Sequence, residues 1–396
     1  MSDRSDDQAS GGLNRREFLA AGAIPLVAAA GATEFSSEGA RRRRSAQEPL
    51  RLGIIGAGAN VRNRHIPGFD RIAGVEIVAV ANRSLESSRR VADEFNIARP
   101  YGTWNELLED DGVDAVLIGT WPNMHRTLTL ATLEAGKHVL CQARMANTGQ
   151  EARDMLEASL RHPELVSQLA PTSTSYRFDN VIKRHVEEGY LGDVLSVEIQ
   201  RLQTGDRTGP GGFPDTGGDL GWRHERQFSG MNSLNIGSTK ESMIRWLGRG
   251  TRVMAMSKIH VPYRYNRAGQ LKSVTIPDHV DIMYELMSGA QVHMRFSAST
   301  GLSNGNQTWI YGTEGVLHVD ERSNIFAGRK GDSGLSPVPN PQEGQAYHRV
   351  EEEFVNAIRG IEEITMVPFE TGVHYMEFVE AVYRSAQTGQ AVYLPL

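Results

Sequence analysis

Residues 51–58 read RLGIIGAG, and this short stretch decides the fold class. An apolar run ends at Gly56, Ala57 and Gly58, as a buried strand does when it enters a tight glycine turn. Gly56 permits the turn, and Gly58 lets backbone amides approach a pyrophosphate at the start of a helix. A third glycine would complete the usual pattern at position 61, where the chain has Val61. The stretch therefore predicts a dinucleotide-binding turn that departs from the usual pattern at one position.

The chain around that turn alternates strand-like and helix-like segments. Apolar, mostly β-branched runs predict further strands at residues 75–84, 113–120, 137–141 and 164–170. Helical patterns fill the intervals at residues 85–95, 104–109, 126–135 and 149–160. This alternation predicts an α/β fold with a doubly wound parallel sheet. Ligands bind at the carboxyl ends of the strands in such a sheet, so site residues are expected there.

The end of the second predicted strand bears on the choice of cofactor. An acidic residue here would accept hydrogen bonds from the adenosine ribose, but the chain reads Asn82, Arg83 and Ser84. A guanidinium with nearby polar donors suits a 2′-phosphate, so the stretch favours NADP over NAD. The alternative is that Arg83 stacks on the adenine or lies in solvent.

Composition excludes several classes of protein. The chain has 396 residues, 39% apolar and 23% charged, which is enough for two domains of an ordinary globular protein. A net charge of −6 argues against a general nucleic-acid binder. Cys141 is the only cysteine, so no internal disulfide or thiolate metal cluster can form. The histidines are scattered rather than clustered, and no metal site is expected.

The N-terminal residues are typical of a targeting segment. Arg15 and Arg16 precede a small apolar run to Ala32, which is the twin-arginine export pattern. The run is about 15 residues, shorter than the roughly 20 of a spanning helix, so no stable membrane anchor is expected. We predict a signal peptide at residues 1–32, a linker at 33–49 and a periplasmic or otherwise exported protein. The alternative is a chance Arg-Arg pair before a disordered leader.

Several segments taken together resemble a known family. GIIGAG, VDAVLIGTWPNMH, LEAGKHVLC, YRF, EEGYLGDVLSVE, IYGTEGVLHVD and YMEFVEAVYRSAQTGQAVYLPL occur in order and at suitable spacing. The set resembles the Gfo/Idh/MocA oxidoreductases from about residue 50 to the C-terminus. The resemblance implies a Rossmann domain at residues 50–171 and, at 172–396, an α/β domain with a large, mostly antiparallel open sheet. It also implies hydride transfer at a carbon of a sugar or cyclitol, and a homodimer or tetramer.

The resemblance also implies a set of site residues, and the chain departs from it. In the family, the triplet after AGKHVLC is normally Glu-Lys-Pro; the glutamate holds the nicotinamide ribose and the lysine polarises the reacting hydroxyl. Here Gln142 can still bind a ribose, whereas Ala143 cannot do acid–base work. The family's glycine-rich segment carries an Asp and, four residues later, a His. Asn235 and Thr239 stand at those positions.

Other residues keep the roles that the resemblance implies. Thr120, Pro122 and His125 lie at the end of the third predicted strand, where the family closes over the nicotinamide. Trp121 is either a wall of the pocket or a packing aromatic. His65 lies near the expected phosphates or packs under the following proline.

Three hypotheses address the missing acid–base residues. The first moves that role to Lys240 or Glu241, which follow Thr239; adjacent helical residues point about 100° apart, so at most one can face the pocket. Further candidates for the same role are Arg144, His224 and Glu225. The second hypothesis keeps the cofactor but changes the reaction, for instance to a cofactor-assisted glycoside hydrolase or lyase. The third is a nucleotide- and sugar-binding protein without turnover.

The second half of the chain predicts a sheet and a covering loop. Residues 205–221 are rich in glycine and are expected to cover a site. Alternating runs at residues 252–261, 280–287, 290–299, 307–312 and 315–321 predict an antiparallel sheet with one buried face. The other face would then be available to a partner subunit.

Overall fold

The structure is a computed structural model that describes residues 49–171, 176–202, 218–340 and 349–396. The predicted signal peptide and nearly all of the linker lie outside the described residues. So does most of the glycine-rich segment at 205–221.

The first half is built on a six-stranded parallel sheet. Its strands are β1 (Leu50–Ile55), β2 (Val75–Ala81), β3 (Arg99–Tyr101), β4 (Ala115–Ile118), β5 (His138–Cys141) and β6 (Ser167–Leu169). They lie in the order β3-β2-β1-β4-β5-β6. The predicted doubly wound sheet is confirmed, and β3 is a short strand that the sequence analysis missed.

Helices cover this sheet, and polar caps fix where several of them begin. A π-helical turn (Val61–His65) runs into α1 (Ile66–Phe69), and the helices that follow are α2 (Leu85–Phe95), α3 (Trp104–Glu109), α4 (Pro122–Glu134) and α5 (Gly149–Arg161). Ser84, Thr103 and Thr148 each accept a hydrogen bond from the backbone N–H three residues ahead. These caps satisfy N–H groups that a helix start leaves unpaired.

The second half is built on a mixed, mostly antiparallel sheet of nine strands. Its strands are β7 (Val194–Leu202), β8 (Gly250–Lys258), β11 (His279–Leu286), β12 (Gln291–Ser297), β13 (Gln307–Gly312), β14 (Gly315–Val319), β15 (Ile325–Arg329), β16 (Ser336–Pro337) and β17 (Val392–Tyr393). They lie in the order β16-β15-β14-β13-β7-β12-β11-β8-β17, and among the described residues only β7 and β12 pair in parallel. A separate hairpin consists of β9 (Tyr263–Tyr265) and β10 (Leu271–Ser273).

In the described parts of the second half, five helices accompany this sheet. They are α6 (Tyr176–Glu187), α7 (Arg226–Ser229), which follows a short 3₁₀ turn at Trp222–His224, α8 (Ile236–Leu247), α9 (Val350–Ile358) and α10 (Phe369–Thr388). Two of them return to the first half. Phe354 of α9 packs in one core cluster with Leu52 and Phe69. The domain boundary at residue 171 stays a prediction. Although α9 follows that boundary in sequence, it packs in the core of the first half.

The last long helix, α10, contributes to two cores. Its first turns, including Phe369 and Met376, pack with the first sheet. Its later turns, including Phe378 and Val382, pack with the second sheet. The hydroxyl of Tyr375 accepts a hydrogen bond from the backbone N–H of Met145 at 2.6 Å. Because Met145 follows β5 closely, α10 holds the carboxyl end of the first sheet against the second half.

Among the described residues, no helix combines the length and the apolar character that crossing a bilayer requires.

Candidate cofactor and substrate site

The glycine turn after β1 has the geometry that its sequence predicts. Gly56 has a φ of +88°, in the left-handed region that favours glycine. A Cβ added there would lie 2.7 Å from Cγ2 of Thr120 and 2.8 Å from its backbone nitrogen. A Cβ added at Gly58 would meet only the carbonyl oxygen of Gly119, at 3.8 Å. The turn is therefore closed beneath Gly56 and open at Gly58, as a pyrophosphate cradle requires.

Val61 stands where the usual pattern has a third glycine. Here Gly119, on the neighbouring strand end, allows the helix to approach the sheet closely. Val61 is buried, and a Cβ added at Gly119 would lie 2.2 Å from its Cγ2 atom and 2.4 Å from the carbonyl oxygen of Gly56. Gly119, just beyond β4, therefore leaves the space that Val61 fills. The departure from the pattern does not prevent tight packing of helix and sheet.

The three residues after β2 play different parts. Asn82 accepts a hydrogen bond from the backbone N–H of Ala57 at 2.8 Å, so its side chain fastens the glycine turn. Ser84 caps α2 through its hydroxyl. Arg83 is exposed, and no contact of its side chain with another described residue is seen. Arg83 and Ser84 are both exposed, and of these two only the side chain of Ser84 makes a hydrogen bond within the described residues.

The residues after β4 form a rigid corner. Pro122 is the first residue of α4 and is buried. His125 is fully buried; its Nε2 atom lies 3.1 Å from the carbonyl oxygen of Thr120, and its Nδ1 atom lies 2.9 Å from that of Arg144. Burial lowers the pKa of His125. His125 therefore joins the ends of β4 and β5 from behind, whereas partly buried Thr120 lies at the surface of the corner.

Gln142 is held in one orientation by a chain of polar side chains. Its Oε1 atom accepts a hydrogen bond from Nδ2 of Asn60 at 2.8 Å, and its Nε2 atom contacts Nε2 of His65. Nδ1 of His65 in turn lies 2.5 Å from Oε1 of Glu351, in α9. His65 is thus buried and serves the position predicted to bind ribose, rather than facing the phosphates. Asn60 and Glu351 are members of this network that the sequence analysis missed.

Arg144 lies at the junction of the two halves. Its Nη1 atom donates to Oγ of Ser229 at 2.9 Å, and its Nη2 atom contacts the carbonyl oxygen of Leu234. Leu234 has a φ of +46°, a strained conformation for a leucine, and it immediately precedes Asn235. Burial is the main cause that lowers the pKa of Arg144 to about 10, and the positive charge of Arg223 contributes to that lowering.

Asn235 and Thr239 lie at the start of α8. Asn235 is the N-cap residue, its side chain makes no capping bond, and its carbonyl oxygen accepts from the N–H of Thr239 at 3.0 Å. Thr239 is buried. The contact of Arg144 with Leu234 brings this end of α8 to the end of β5.

Lys240 and Glu241 contact the interior of the second half instead. Nζ of Lys240 lies 4.4 Å from the ring centre of Tyr284 and 5.0 Å from that of Phe378, and it has no hydrogen-bond partner among the described residues. Burial lowers the pKa of Lys240 to about 7. Glu241 forms an ion pair with Arg245. Neither side chain is brought to Arg144 by these contacts, and the catalytic role of both stays a prediction.

An aromatic wall, which we define as Trp121, Trp222 and Phe228, stands beside this junction. The rings of Trp121 and Trp222 are stacked with centres 6.3 Å apart, and Phe228 meets Trp121 edge-on at 4.7 Å. Trp121 is 45% exposed although it is a large apolar residue. Trp121 was predicted as a possible wall of the pocket, whereas Trp222 and Phe228 become part of the wall only through the folded contacts.

The remaining candidates are engaged locally. Nδ1 of His224 accepts from the N–H of Gly221 at 2.9 Å, and Oε1 of Glu225 accepts from Nε2 of Gln227 at 3.2 Å. Within the described ranges, no group of three or more His, Cys, Asp or Glu residues is arranged to hold a metal ion.

Comparison with known proteins identifies the family. A model of an oxidoreductase family with an NAD-binding Rossmann fold, Gfo/Idh/MocA, matches residues 50–168, and the model of the Gfo/Idh/MocA C-terminal domain matches residues 180–318. The chain belongs to the Gfo/Idh/MocA oxidoreductase family. This confirms the family resemblance seen in the sequence.

Individual Gfo/Idh/MocA relatives are distant. Levoglucosan dehydrogenase of Pseudarthrobacter phenanthrenivorans is 26% identical over 270 residues, which cover 63% of this chain and 66% of that protein. An inositol 2-dehydrogenase/D-chiro-inositol 3-dehydrogenase of Shouchella clausii is 31% identical over 153 residues, 37% of this chain and 43% of that protein. An oxidoreductase of Rhizobium meliloti is matched over 44% of its length. These matches span less than two thirds of each relative.

Several solved structures match this chain over most of its length. Levoglucosan dehydrogenase in complex with NADH and levoglucosan has a TM-score of 0.74 at 20% identity and covers 88% of this chain and 100% of that one. An oxidoreductase domain protein from Kribbella flavida has a TM-score of 0.77 at 22% identity, with the same coverage. At these identities the likeness establishes the fold.

Proposed function

We propose that the protein is an NAD(P)-dependent oxidoreductase that acts on a sugar, a sugar derivative or a cyclitol. The observation that supports this most strongly is the open cradle at Gly58, fastened by Asn82 and followed two strands away by the ordered carboxamide of Gln142. A Rossmann sheet places the pyrophosphate at the first of these points and the nicotinamide near the second. Relatives whose names include levoglucosan dehydrogenase and inositol 2-dehydrogenase support the substrate class.

The cofactor would supply the hydride acceptor or donor. The residues of this chain would then orient the substrate against it: Gln142 binds the ribose, and Arg144 and the aromatic wall face the substrate. We further propose that the acid–base set is non-standard, because Ala143, Asn235 and Thr239 do not titrate near neutral pH. Arg144 is the candidate whose contacts lie at the junction. Lys240 instead contacts Tyr284 and Phe378, and Glu241 pairs with Arg245.

A single experiment separates the three functional hypotheses. The purified protein is loaded with NADP⁺ or NAD⁺ and mixed with a panel of sugars and cyclitols, while nicotinamide absorbance and products are followed together. We expect an absorbance change with an oxidised product. A cleaved product without net cofactor reduction would favour the hydrolase or lyase hypothesis. Bound sugar without either change would favour the protein without turnover.

Cofactor choice gives a prediction at Arg83. Arg83→Ala should weaken the binding of NADPH about 10- to 150-fold, because a charge-assisted contact to the 2′-phosphate contributes about 1.5–3 kcal/mol. Binding of NADH should change little. Titration of cofactor fluorescence measures both affinities. Arg267→Ala, at another exposed arginine, is the matched control. Equal weakening of both cofactors by Arg83→Ala would show that Arg83 does not bind the phosphate.

Export is proposed from the sequence alone. Replacing both Arg15 and Arg16 with lysine should leave the full-length protein in the cytoplasm of a twin-arginine-competent host, since the pathway reads the arginine pair. Cell fractionation and immunoblotting measure this. Normal delivery of the double variant would overturn the export proposal.

We also propose a homo-oligomer that forms through the open face of the nine-stranded sheet. Met254, Met256 and Met283 are 45%, 78% and 60% exposed on neighbouring strands of that face. Farther along it, the rings of Trp309 and His318 stack at 3.7 Å. Exposed apolar surface of this kind marks interaction sites. Light scattering after size exclusion tests the proposal, and a monomer at micromolar concentration would contradict it.

A further inference from the structure

Two arginines flank the aromatic wall at the junction of the halves, and within the described parts of the chain neither forms an ion pair with a carboxylate. Arg144 follows β5, and Arg223 lies in the 3₁₀ turn that leads to α7. The two are connected through α7, because Ser229, its last residue, accepts the hydrogen bond from Arg144. The positive charge of Arg223 helps to lower the pKa of the Arg144 guanidinium.

The groups that do contact these arginines are neutral. Arg144 meets a hydroxyl and a backbone carbonyl, and these two contacts use two of its five N–H donors. The guanidinium carbon of Arg223 lies 4.3 Å from the ring centre of Trp222, with no ion pair to an acid in the described parts of the chain. Two like charges close enough to interact repel each other, and an anion bound by both would relieve the repulsion.

The surroundings of the pair suit a sugar ring. Trp222, under Arg223, stacks on Trp121 of the aromatic wall, and Trp121 follows β4 at the carboxyl edge of the first sheet. Ligand pockets combine apolar walls with a few placed polar groups that fix orientation. The cofactor's own phosphates belong at the glycine turn after β1, on the far side of β4 from β5. They are therefore not the anion expected here.

We propose that Arg144 and Arg223 bind an anionic group, a carboxylate or a phosphate, carried by the sugar substrate. The planar guanidinium fork matches both oxyanions in a bidentate manner. This inference rests on the proposed function, since it names the substrate class of the same site. It makes Arg223 a specificity-determining residue that selects acidic over neutral sugars.

The test compares three probes that share a sugar ring. D-glucose, D-glucuronate and D-glucose 6-phosphate are titrated into the full chain saturated with NADP⁺, with tryptophan fluorescence and calorimetry as readouts. We expect at least one anionic probe to bind about 10- to 150-fold more tightly than glucose, the range for one charge-assisted contact. Preference for glucuronate identifies a carboxylate site, and preference for glucose 6-phosphate identifies a phosphate site.

Variants show whether the arginines cause the preference. Arg223→Gln, at an exposed side chain, should remove most of the preference while NADP⁺ binding stays unchanged. Arg144→Lys keeps the charge of the buried group and should lower the preference through loss of the bidentate geometry. Arg322→Gln changes the net charge equally at a distant exposed turn and should leave the preference intact.

The outcomes separate this inference from the function on which it rests. Failure to bind NADP⁺ and NAD⁺ would overturn the proposed oxidoreductase but would leave an anion preference measurable in the free protein. Cofactor binding with equal affinity for the three probes, or with no anionic probe bound, would overturn the inference alone. If Arg223→Gln kept the full preference for anionic over neutral sugars, Arg223 would not be part of the anion-binding site.

Discussion

Lys240→Met should raise the free energy of unfolding by about 3 kcal/mol at pH 7. The ammonium group is buried, and its pKa falls from 10.5 to about 7, which corresponds to a cost of about 5 kcal/mol at 1.36 kcal/mol per pH unit. Attraction to the rings of Tyr284 and Phe378 offsets about 2 kcal/mol of it. Methionine fills a similar volume without a charge. Chemical denaturation at pH 7 measures the difference.

The same substitution should remove a pH dependence. Lys240 has a lower pKa in the folded protein than in the unfolded chain. Between about pH 7 and 10.5, the unfolded chain therefore binds more protons than the folded protein. The unfolding free energy of the unmodified protein should therefore rise across that window. The destabilisation caused by the buried ammonium of Lys240 is fully present below about pH 7 and absent above about pH 10.5. In Lys240→Met this contribution to the slope should vanish.

Controls decide whether burial is the cause. Lys258→Met, at an exposed lysine of β8, should change neither stability nor its pH dependence. Loss of stability in Lys240→Met would mean that the ammonium has a partner that the described residues do not include. Kinetics of the same variant test the relocation hypothesis, because loss of a general acid or base costs about 100- to 10,000-fold in rate. A normal rate would end the case for Lys240 as that group.

Gly58→Ala should weaken dinucleotide binding about 5- to 150-fold without lowering the melting temperature. The added Cβ meets only the carbonyl oxygen of Gly119, at 3.8 Å, so the folded protein can accommodate it. The space that it takes is where the pyrophosphate approaches the backbone, and such overpacking costs about 1–3 kcal/mol. Cofactor fluorescence titration and thermal unfolding measure the two effects.

Gly56→Ala is the contrasting variant. There the added Cβ lies 2.7 Å from Thr120, at a φ of +88°, and the protein itself should lose stability. Unchanged affinity in Gly58→Ala would place the pyrophosphate elsewhere. A lowered melting temperature in Gly58→Ala would show that the turn is less open than its geometry indicates.

The elements that the sequence predicted best are those with local signals. The predicted bounds of α2 and α3 coincide with the observed Leu85–Phe95 and Trp104–Glu109, because Ser84 and Thr103 provide caps just before them. The glycine turn is equally local. By contrast, β3 has three residues, too few to establish an alternating pattern, and it is fixed by its pairing with β2.

The site was harder to predict because its parts come from distant segments. Proximity in sequence made Lys240 a candidate, yet the helical rotation after Thr239 carries its side chain to Tyr284 and Phe378. Gln142 was predicted as a polar strand end. The groups that hold it, Asn60 directly and Glu351 through His65, are separated from it by long stretches of chain. The aromatic wall likewise joins Trp121 to residues about a hundred positions later.

The C-terminal helix α10 makes the two sheets mechanically interdependent. Met376 belongs to the core of the first sheet and Phe378 to that of the second, so one continuous helix enters both within a single turn. Glu380 also accepts the backbone N–H of Gly149 at 2.8 Å. Separating the two sheets would require α10 either to break or to lose its packing in one of the two cores. The chain should consequently melt in one transition, and a fragment ending before Phe369 should lack the support on which either half depends.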